Sequence, residues 1–207
     1  MLSYLFSMKT KALIVDIDHT IIDSTIAHII AGGAYKNCRG LKKVYATMES
    51  ARVLAGSKIL GESWGLNEFS EVLGKFGITK KNAEEYCEVG IKKHQVPGAL
   101  DYLRDCTDET DLYIVTTGME IGPNVLSNRY GLKPTGTISN KTVYDKKNVP
   151  KGCTISVTDD TIGHQVECIL AKYGKEDCMI VDDRPYRYPA NGHAIYTDMR
   201  AFLREKQ

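Results

Sequence analysis

Four short apolar runs set the terms for this chain: ALIV at 12–15, LYIV at 112–115, CMIV at 178–181 and HAIY at 193–196. None alternates apolar with polar residues, the pattern of strands covered on both faces in a parallel sheet between layers of helix. Helical stretches separate the later runs. Pro97 stands where a helix can begin, and PGALDYLRDC follows with Leu100 and Leu103 on one face. Residues 121–130 run up to Gly131 and residues 161–173 up to Gly174, and both glycines suit the left-handed stop position of a helix. Strand and helix in alternation predict an α/β fold on an open, doubly wound parallel sheet.

One stretch breaks the alternation. Between Ile21 and Gln95 the apolar spacing is helical four times over: Ile22, Ile26, Ile29 and Ile30; Leu41, Val44, Tyr45 and Met48; Leu66, Phe69, Val72, Leu73 and Phe76; Ala83, Tyr86, Cys87 and Ile91. Gly32-Gly33, Gly61, Gly65 and Gly77 punctuate these segments. The expectation is a helical insertion that packs as a small bundle, with core residues 9–20 and 96–207 around an inserted unit at 21–95. At 207 residues the chain has room for one good core and such an insertion.

The apolar runs end in residues that carry chemistry. The first ends in Asp16-Ile17-Asp18-His19-Thr20, the second in Thr116-Thr117-Gly118 and the third in Asp182-Asp183. If these runs are neighbouring parallel strands, their carboxyl ends share the edge where open α/β sheets bind ligands. Four carboxylates meeting there would lose hydration and repel one another, so a cation must sit among them. An all-oxygen set without His or Cys selects a hard ion, and Mg²⁺ suits a few carboxylates with a phosphate and waters.

Position divides the labour. Asp16, nearest the strand, is placed to attack phosphorus, and Asp18, from the loop, to protonate the leaving oxygen and later take a proton from water. Thr116 and the amides of Thr117 and Gly118 are placed to hold phosphoryl oxygens. Asp16, Asp18, Asp182 and Asp183 form the expected metal set.

These residues resemble the haloacid dehalogenase superfamily in its phosphatase branch. Its first motif, D-x-D-x-T after an apolar strand, matches Asp16 to Thr20; its second, a strand ending in Ser or Thr, matches Leu112 to Thr116; its fourth, paired acids after a strand, matches Asp182-Asp183. Pro97-Gly98 and Ala190-Asn191-Gly192 also fit, so the likeness extends over residues 12–197. The resemblance implies a Mg²⁺-dependent phosphomonoester hydrolase that forms an aspartyl-phosphate on a small phosphorylated substrate. It also places the insertion as a helical cap of the phosphoserine-phosphatase type. Asp18 argues against carbon–halogen chemistry, since the dehalogenases lack that second acid. The third motif, a lysine near the start of the helix before the fourth, has no match in residues 152–171. Lys151 is the expected substitute, being a permanent cation, and His164 the other candidate. A phosphomutase on the same site and a non-catalytic binding module are the rival readings.

A net charge of +1 and lysine pairs scattered among acids give no pull toward nucleic acid or anionic lipid. No run approaches the ~18 apolar residues of a membrane span, and MLSYLFSMKTK is too short an apolar stretch for a signal segment. The expectation is a cytoplasmic protein, starting at Met1 or Met8. Cys38, Cys87, Cys106, Cys153, Cys168 and Cys178 have no metal-ligand spacing and are read as free thiols. Arg52 faintly resembles a cap arginine for a substrate carboxylate but is read as a surface ion pair, and Trp64 as core. His19 fills a position that is often Gly. No role is assigned to His28, His94 or His193. Oligomeric state is not legible.

Overall fold

The computed structural model describes residues 10–188 and 194–206. The chain enters the sheet through β1 (Ala12–Val15) and then makes four consecutive helices, α1 (Ile26–Asn37), α2 (Leu41–Leu60), α3 (Glu62–Lys75) and α4 (Lys80–His94). It continues through α5 (Ala99–Cys106), β2 (Asp111–Met119), α6 (Ile121–Tyr130), β3 (Gly136–Tyr144), β4 (Pro150–Thr154), α7 (Ile162–Tyr173), β5 (Cys178–Val181), β6 (Ala194–Tyr196) and α8 (Met199–Lys206). The strands form one six-stranded sheet in the order β4-β3-β2-β1-β5-β6. Every pairing is parallel except that of β3 with the edge strand β4.

Successive residues of a strand face opposite sides of the sheet, and β1 uses both. Leu13 and Val15 join a cluster with Leu112, Ile114, Leu103 and Phe202, while Ala12 and Ile14 join a second one with Ile162, Val166 and Ile169 of α7. The apolar runs at 12–15, 112–115 and 178–181 are therefore buried central strands, as their lack of alternation predicts. In the fourth run, Ala194 to Tyr196 form β6, whereas His193 and Ala190-Asn191-Gly192 lie outside the described residues.

The outer strands β3 and β4 are additions to the sequence reading. Their sequences, GTISNKTVY and PKGCT, bury only some of their residues, so they carry no continuous apolar run. Gly131 ends α6 in the left-handed conformation, with φ 73° and ψ 18°. Gly174 after α7 combines φ 87° with ψ 140°, so it uses a glycine conformation other than the expected left-handed turn.

All four insertion helices are present. Their two connections to the sheet run side by side: the Val96 amide donates to the Ile21 carbonyl at 2.8 Å and the Asp23 amide to the His94 carbonyl at 2.8 Å. The apolar stripe expected to bury the start of α2 is instead at the surface, with Leu41 88% and Met48 65% exposed. α2 turns another line inward: Ala46 and Val53 are buried, and Gly56 lies against the Trp64 ring of α3. The insertion also has no separate core, because Ile29, Ile30, Cys87 and Ile91 belong to the same cluster as Leu13 and Leu112.

One buried amide fixes the chain beside the ends of the central strands. Asn140 of β3 donates from Nδ2 to the carbonyls of Thr117 at 2.7 Å and Val157 at 2.8 Å, and its Oδ1 accepts from the amides of Ser156 at 2.7 Å and Val157 at 2.9 Å. Asn140→Ala leaves those buried groups unpaired and is expected to lower unfolding free energy by about 3 kcal/mol. Urea denaturation measures this, and a loss well under 1 kcal/mol would mean that water replaces the amide without cost.

Candidate active site

The loop after β1 is held from both sides. The Asp16 amide donates to the Val181 carbonyl at 3.0 Å, keeping Asp16 in line with the strand. The chain then turns tightly, with the amides of Thr20, Ile21 and Ile22 all directed to the Ile17 carbonyl. His19 takes a φ of 60°, a conformation that favours glycine. Asp18 swings toward α1, where its Oδ1 accepts the Ile26 amide at 2.8 Å. Thr20 is buried, and its hydroxyl accepts the Asp183 amide at 3.2 Å, tying the loop after β1 to the loop after β5.

This brings together carboxylates from distant parts of the sequence. Single oxygens of Asp16, Asp182 and Asp183 all lie within 4.8 Å of one another. Asp16 is 1% exposed, and among the described residues neither of its oxygens has a hydrogen-bond partner; the same holds for Asp183 Oδ1. Asp182 is the reverse case. Its Oδ1 accepts the Arg184 amide at 2.7 Å, and its Oδ2 accepts the Tyr188 hydroxyl at 2.5 Å and Arg187 Nη1 at 3.4 Å.

Burial pushes the Asp16 carboxyl well above the ordinary range, and the charges of Asp182 and Asp18 push it further. Loss of hydration likewise raises Asp18 to about 6, against the Ile26 amide, and Asp182 to about 6, against the Tyr188 hydroxyl. Unpartnered buried carboxylate oxygens, with no nitrogen or sulfur donor in the cluster, match a hard divalent cation. Asp16, Asp182 and Asp183 are the residues that would hold it. Asp18, expected among the ligands, stands outside this cluster because its side chain is engaged at the start of α1.

From the other side comes β2, which does not end before Thr116 but runs on to Met119. Its register with β3 shifts between Val115 and Met119, so Thr116, Thr117 and Gly118 occupy an irregularity within the strand. Bulges of this kind re-aim side chains beside active sites. Thr116 Oγ1 accepts the Gly118 amide at 3.0 Å. A methyl group built on Gly118 would lie 3.2 Å from that oxygen and 3.6 Å from Asp18 Oδ2, so the ends of β1 and β2 meet here. Thr117 instead donates its hydroxyl to Glu62 Oε1 of α3 at 2.8 Å.

Neither expected cation reaches the crevice. Lys151 lies on the edge strand β4 between buried Pro150 and Gly152, points outward and pairs with Asp145 at 3.8 Å. His164 is an exposed residue of α7, 3.3 Å from Glu167. The turn at 185–187 packs on the start of α7, where any side chain at Gly163 would run into the Arg187 carbonyl. That turn brings its own cations. Arg184 Nε lies 3.7 Å from Asp183, and Arg184 Nη1 donates to both oxygens of Asp159 at 3.2 Å. Burial works against the Arg184 charge, but Asp159, then Asp16, Glu62 and Asp183, outweigh it and hold the guanidinium above its ordinary range. Arg187, fully buried at its side chain, bridges Asp182 and Asp159.

Arg184, Arg187, Tyr188, Asp159 and Glu62 are thus site residues beyond those read from the sequence. Arg184 directly after Asp182-Asp183 was the visible signal, a cation adjacent to paired acids. A cavity of about 440 Å³ extends from Asp18 and Gly118 among α1, α2 and α3. Arg52 does not line it; it pairs with Glu49 at 2.9 Å and Glu68 at 2.7 Å. All six cysteines are unpaired, and no helix among the described residues is long and apolar enough to cross a membrane.

No protein-family model matches the sequence, and no curated protein matches it. Solved structures do. A phosphoserine phosphatase captured as a phospho-aspartyl intermediate analogue superposes with a TM-score of 0.64 at 15% identity, covering 95% of this chain and 99% of that one. A phosphoserine phosphatase from T. onnurineus gives 0.57 at 11% identity, covering 97% and 96%. A HAD family hydrolase from Salmonella enterica serovar Typhi gives 0.60 at 16% identity, covering 83% of this chain and 55% of that one. At such identities the likeness is one of fold, and the chain has the α/β fold of haloacid dehalogenase superfamily hydrolases in the form seen in phosphoserine phosphatase.

Proposed function

We propose that this chain is a Mg²⁺-dependent phosphomonoester hydrolase that works through an aspartyl-phosphate at Asp16. The observation that carries this reading is Asp16 itself, buried with both oxygens unpartnered and facing Asp182 and Asp183. A structural carboxylate would be hydrogen-bonded; a nucleophile awaiting metal and phosphorus would not. The fold shared with a phospho-aspartyl form of phosphoserine phosphatase supports the same assignment.

An oxygen of Asp16 attacks phosphorus in line, forming the Asp16 O–P bond as the bond to the leaving oxygen breaks. Burial raises Asp18 to about 6, close enough to neutrality for its protonated form to be drawn on, and that form gives its proton to the leaving oxygen. The resulting Asp18 carboxylate then takes a proton from a water that attacks the same phosphorus, breaking the Asp16 O–P bond and releasing phosphate. Bound Mg²⁺ would offset the negative charge shared by the acids and the phosphoryl oxygens. Thr116 Oγ1 lies beside Asp18 and Gly118, where it can contact a phosphoryl oxygen. Arg184, rather than Lys151 or His164, supplies the permanent cation toward Asp16 and Asp183. The helices at 21–95 act as the cap that shields this chemistry from bulk water.

Purified protein is expected to release phosphate from small phosphomonoesters only with Mg²⁺, and Asp16→Asn to lose this activity and the fluoroberyllate adduct. A wild-type protein with neither activity nor adduct would leave the binding-module reading in place. Arg184→Ala is expected to lower kcat/KM by about 100-fold, comparable to losing one charge-stabilising donor, with Arg184→Lys recovering part of it and Lys151→Ala near wild type. Without divalent ions, Asp16→Asn is expected to melt higher than wild type by about 3 °C, since a carboxyl that burial and the neighbouring acids destabilise is replaced by a neutral group of the same shape. Mg²⁺ should then stabilise wild type alone, as read by thermal melts with and without EDTA.

A further inference from the structure

We propose that the substrate of this site is a phosphate monoester of an apolar alcohol, an aliphatic or aryl chain rather than an amino acid or sugar. This rests on the hydrolase reading and extends it to the leaving group. Asp18 is the proton donor to the leaving oxygen and also lines the 440 Å³ cavity, so the group attached to phosphate extends from Asp18 into that space. The volume falls within the ~300–1,000 Å³ common for small-molecule pockets.

The walls of this space are mostly apolar, with Thr25, Ser50 and Ser57 set among the apolar side chains. Ala31 of α1, Val53 of α2, Leu66, Phe69 and Val72 of α3, and Phe76 just after α3 face it. The acids that line it, Asp18, Glu62 and Asp159, belong with Gly118 to the end where the phosphoryl chemistry sits. A substrate carboxylate would find Lys58 and His28, both exposed, and no arginine among the lining residues. Arg52, the candidate for that task, is committed to Glu49 and Glu68 and stacks 5.8 Å from the Trp64 ring. Phosphoserine would therefore carry an ammonium and a carboxylate into a space able to compensate little of their lost hydration. An alkyl chain loses nothing there and gains from leaving water. Tyr35 and Leu54 line the cavity yet stay 39% and 50% exposed, which marks where it opens between α1 and α2.

The test is a homologous series of ethyl, butyl, hexyl and octyl phosphates, kept below micellar concentration, beside phosphoserine and glucose 6-phosphate. With Mg²⁺, kcat/KM is expected to rise by up to about fourfold per buried methylene, with octyl phosphate the best substrate by a wide margin. Ala31→Phe, which fills the cavity from α1, is expected to flatten the slope beyond butyl, a ratio that does not depend on overall activity. Hydrolysis that favours phosphoserine or ignores chain length would overturn this inference and leave the hydrolase standing. Calorimetry with ethyl- and octylphosphonate separates the two claims. Tighter binding of the longer phosphonate without any turnover supports the apolar pocket and sinks the hydrolase, and absence of both turnover and binding overturns both.

Discussion

Asp16 sits between the ends of β2 and β5, closed off from solvent, with two oxygens that find no hydrogen-bond partner among the described residues and with Asp182 and Asp18 raising its energy further. A lone buried carboxylate costs several kcal/mol after relaxation, and the fold keeps it in place by constraint on every side. The Val181 carbonyl holds its amide, Thr20 links its loop to Asp183, and the β2 irregularity brings Gly118 against Asp18. Each of these contacts joins segments far apart in sequence. The sheet order is what makes them possible, because only with β1 between β2 and β5 do the three loops converge.

Asp182 shows how the surroundings divide otherwise similar acids. Tyr188, Arg187 and the Arg184 amide surround it and fix its orientation, while Asp16 and Asp183 keep oxygens free. A well-supported acid next to a poorly supported one is the arrangement expected when one orients a cation and the other must remain able to react. The turn at 185–187 thus buttresses Asp182 through Arg187 and packs its backbone on Gly163 of α7.

The central strands and the helical insertion were legible because each is written in a local pattern: unbroken apolar runs for β1, β2 and β5, and helical spacing for α1 to α4. The acids that terminate β1 and β5 were legible for the same reason, standing where the apolar run stops. β3 and β4 were not, since strands toward the side of the sheet bury fewer of their residues and Asn140, the residue that anchors β3, reads as a turn former rather than a buried amide. Lys151 and His164 failed as candidates because proximity in sequence to α7 says nothing of which way a side chain faces. The stripe of Leu41, Val44 and Met48 has the right period but the wrong side, as periodicity reveals a face and not what covers it.

The anchoring of the insertion is uneven, and this bears on access to the cavity. α1 and α4 share the apolar cluster of the sheet, and α3 is fixed to β4 where Asn67 Oδ1 accepts the Cys153 amide at 3.1 Å and Gly74 meets the Pro150 carbonyl. Rotating all four helices together would expose buried Ile29, Ile30, Cys87 and Ile91 to water, a large cost in apolar area. α2 carries no such burden: of its residues only Ala46 and Val53 are buried. The wall of the cavity least bound to the rest of the molecule is therefore α2, and the Glu62–Thr117 bond just beyond its end is, with that from Ser70 to Met119, a polar link between the insertion and β2.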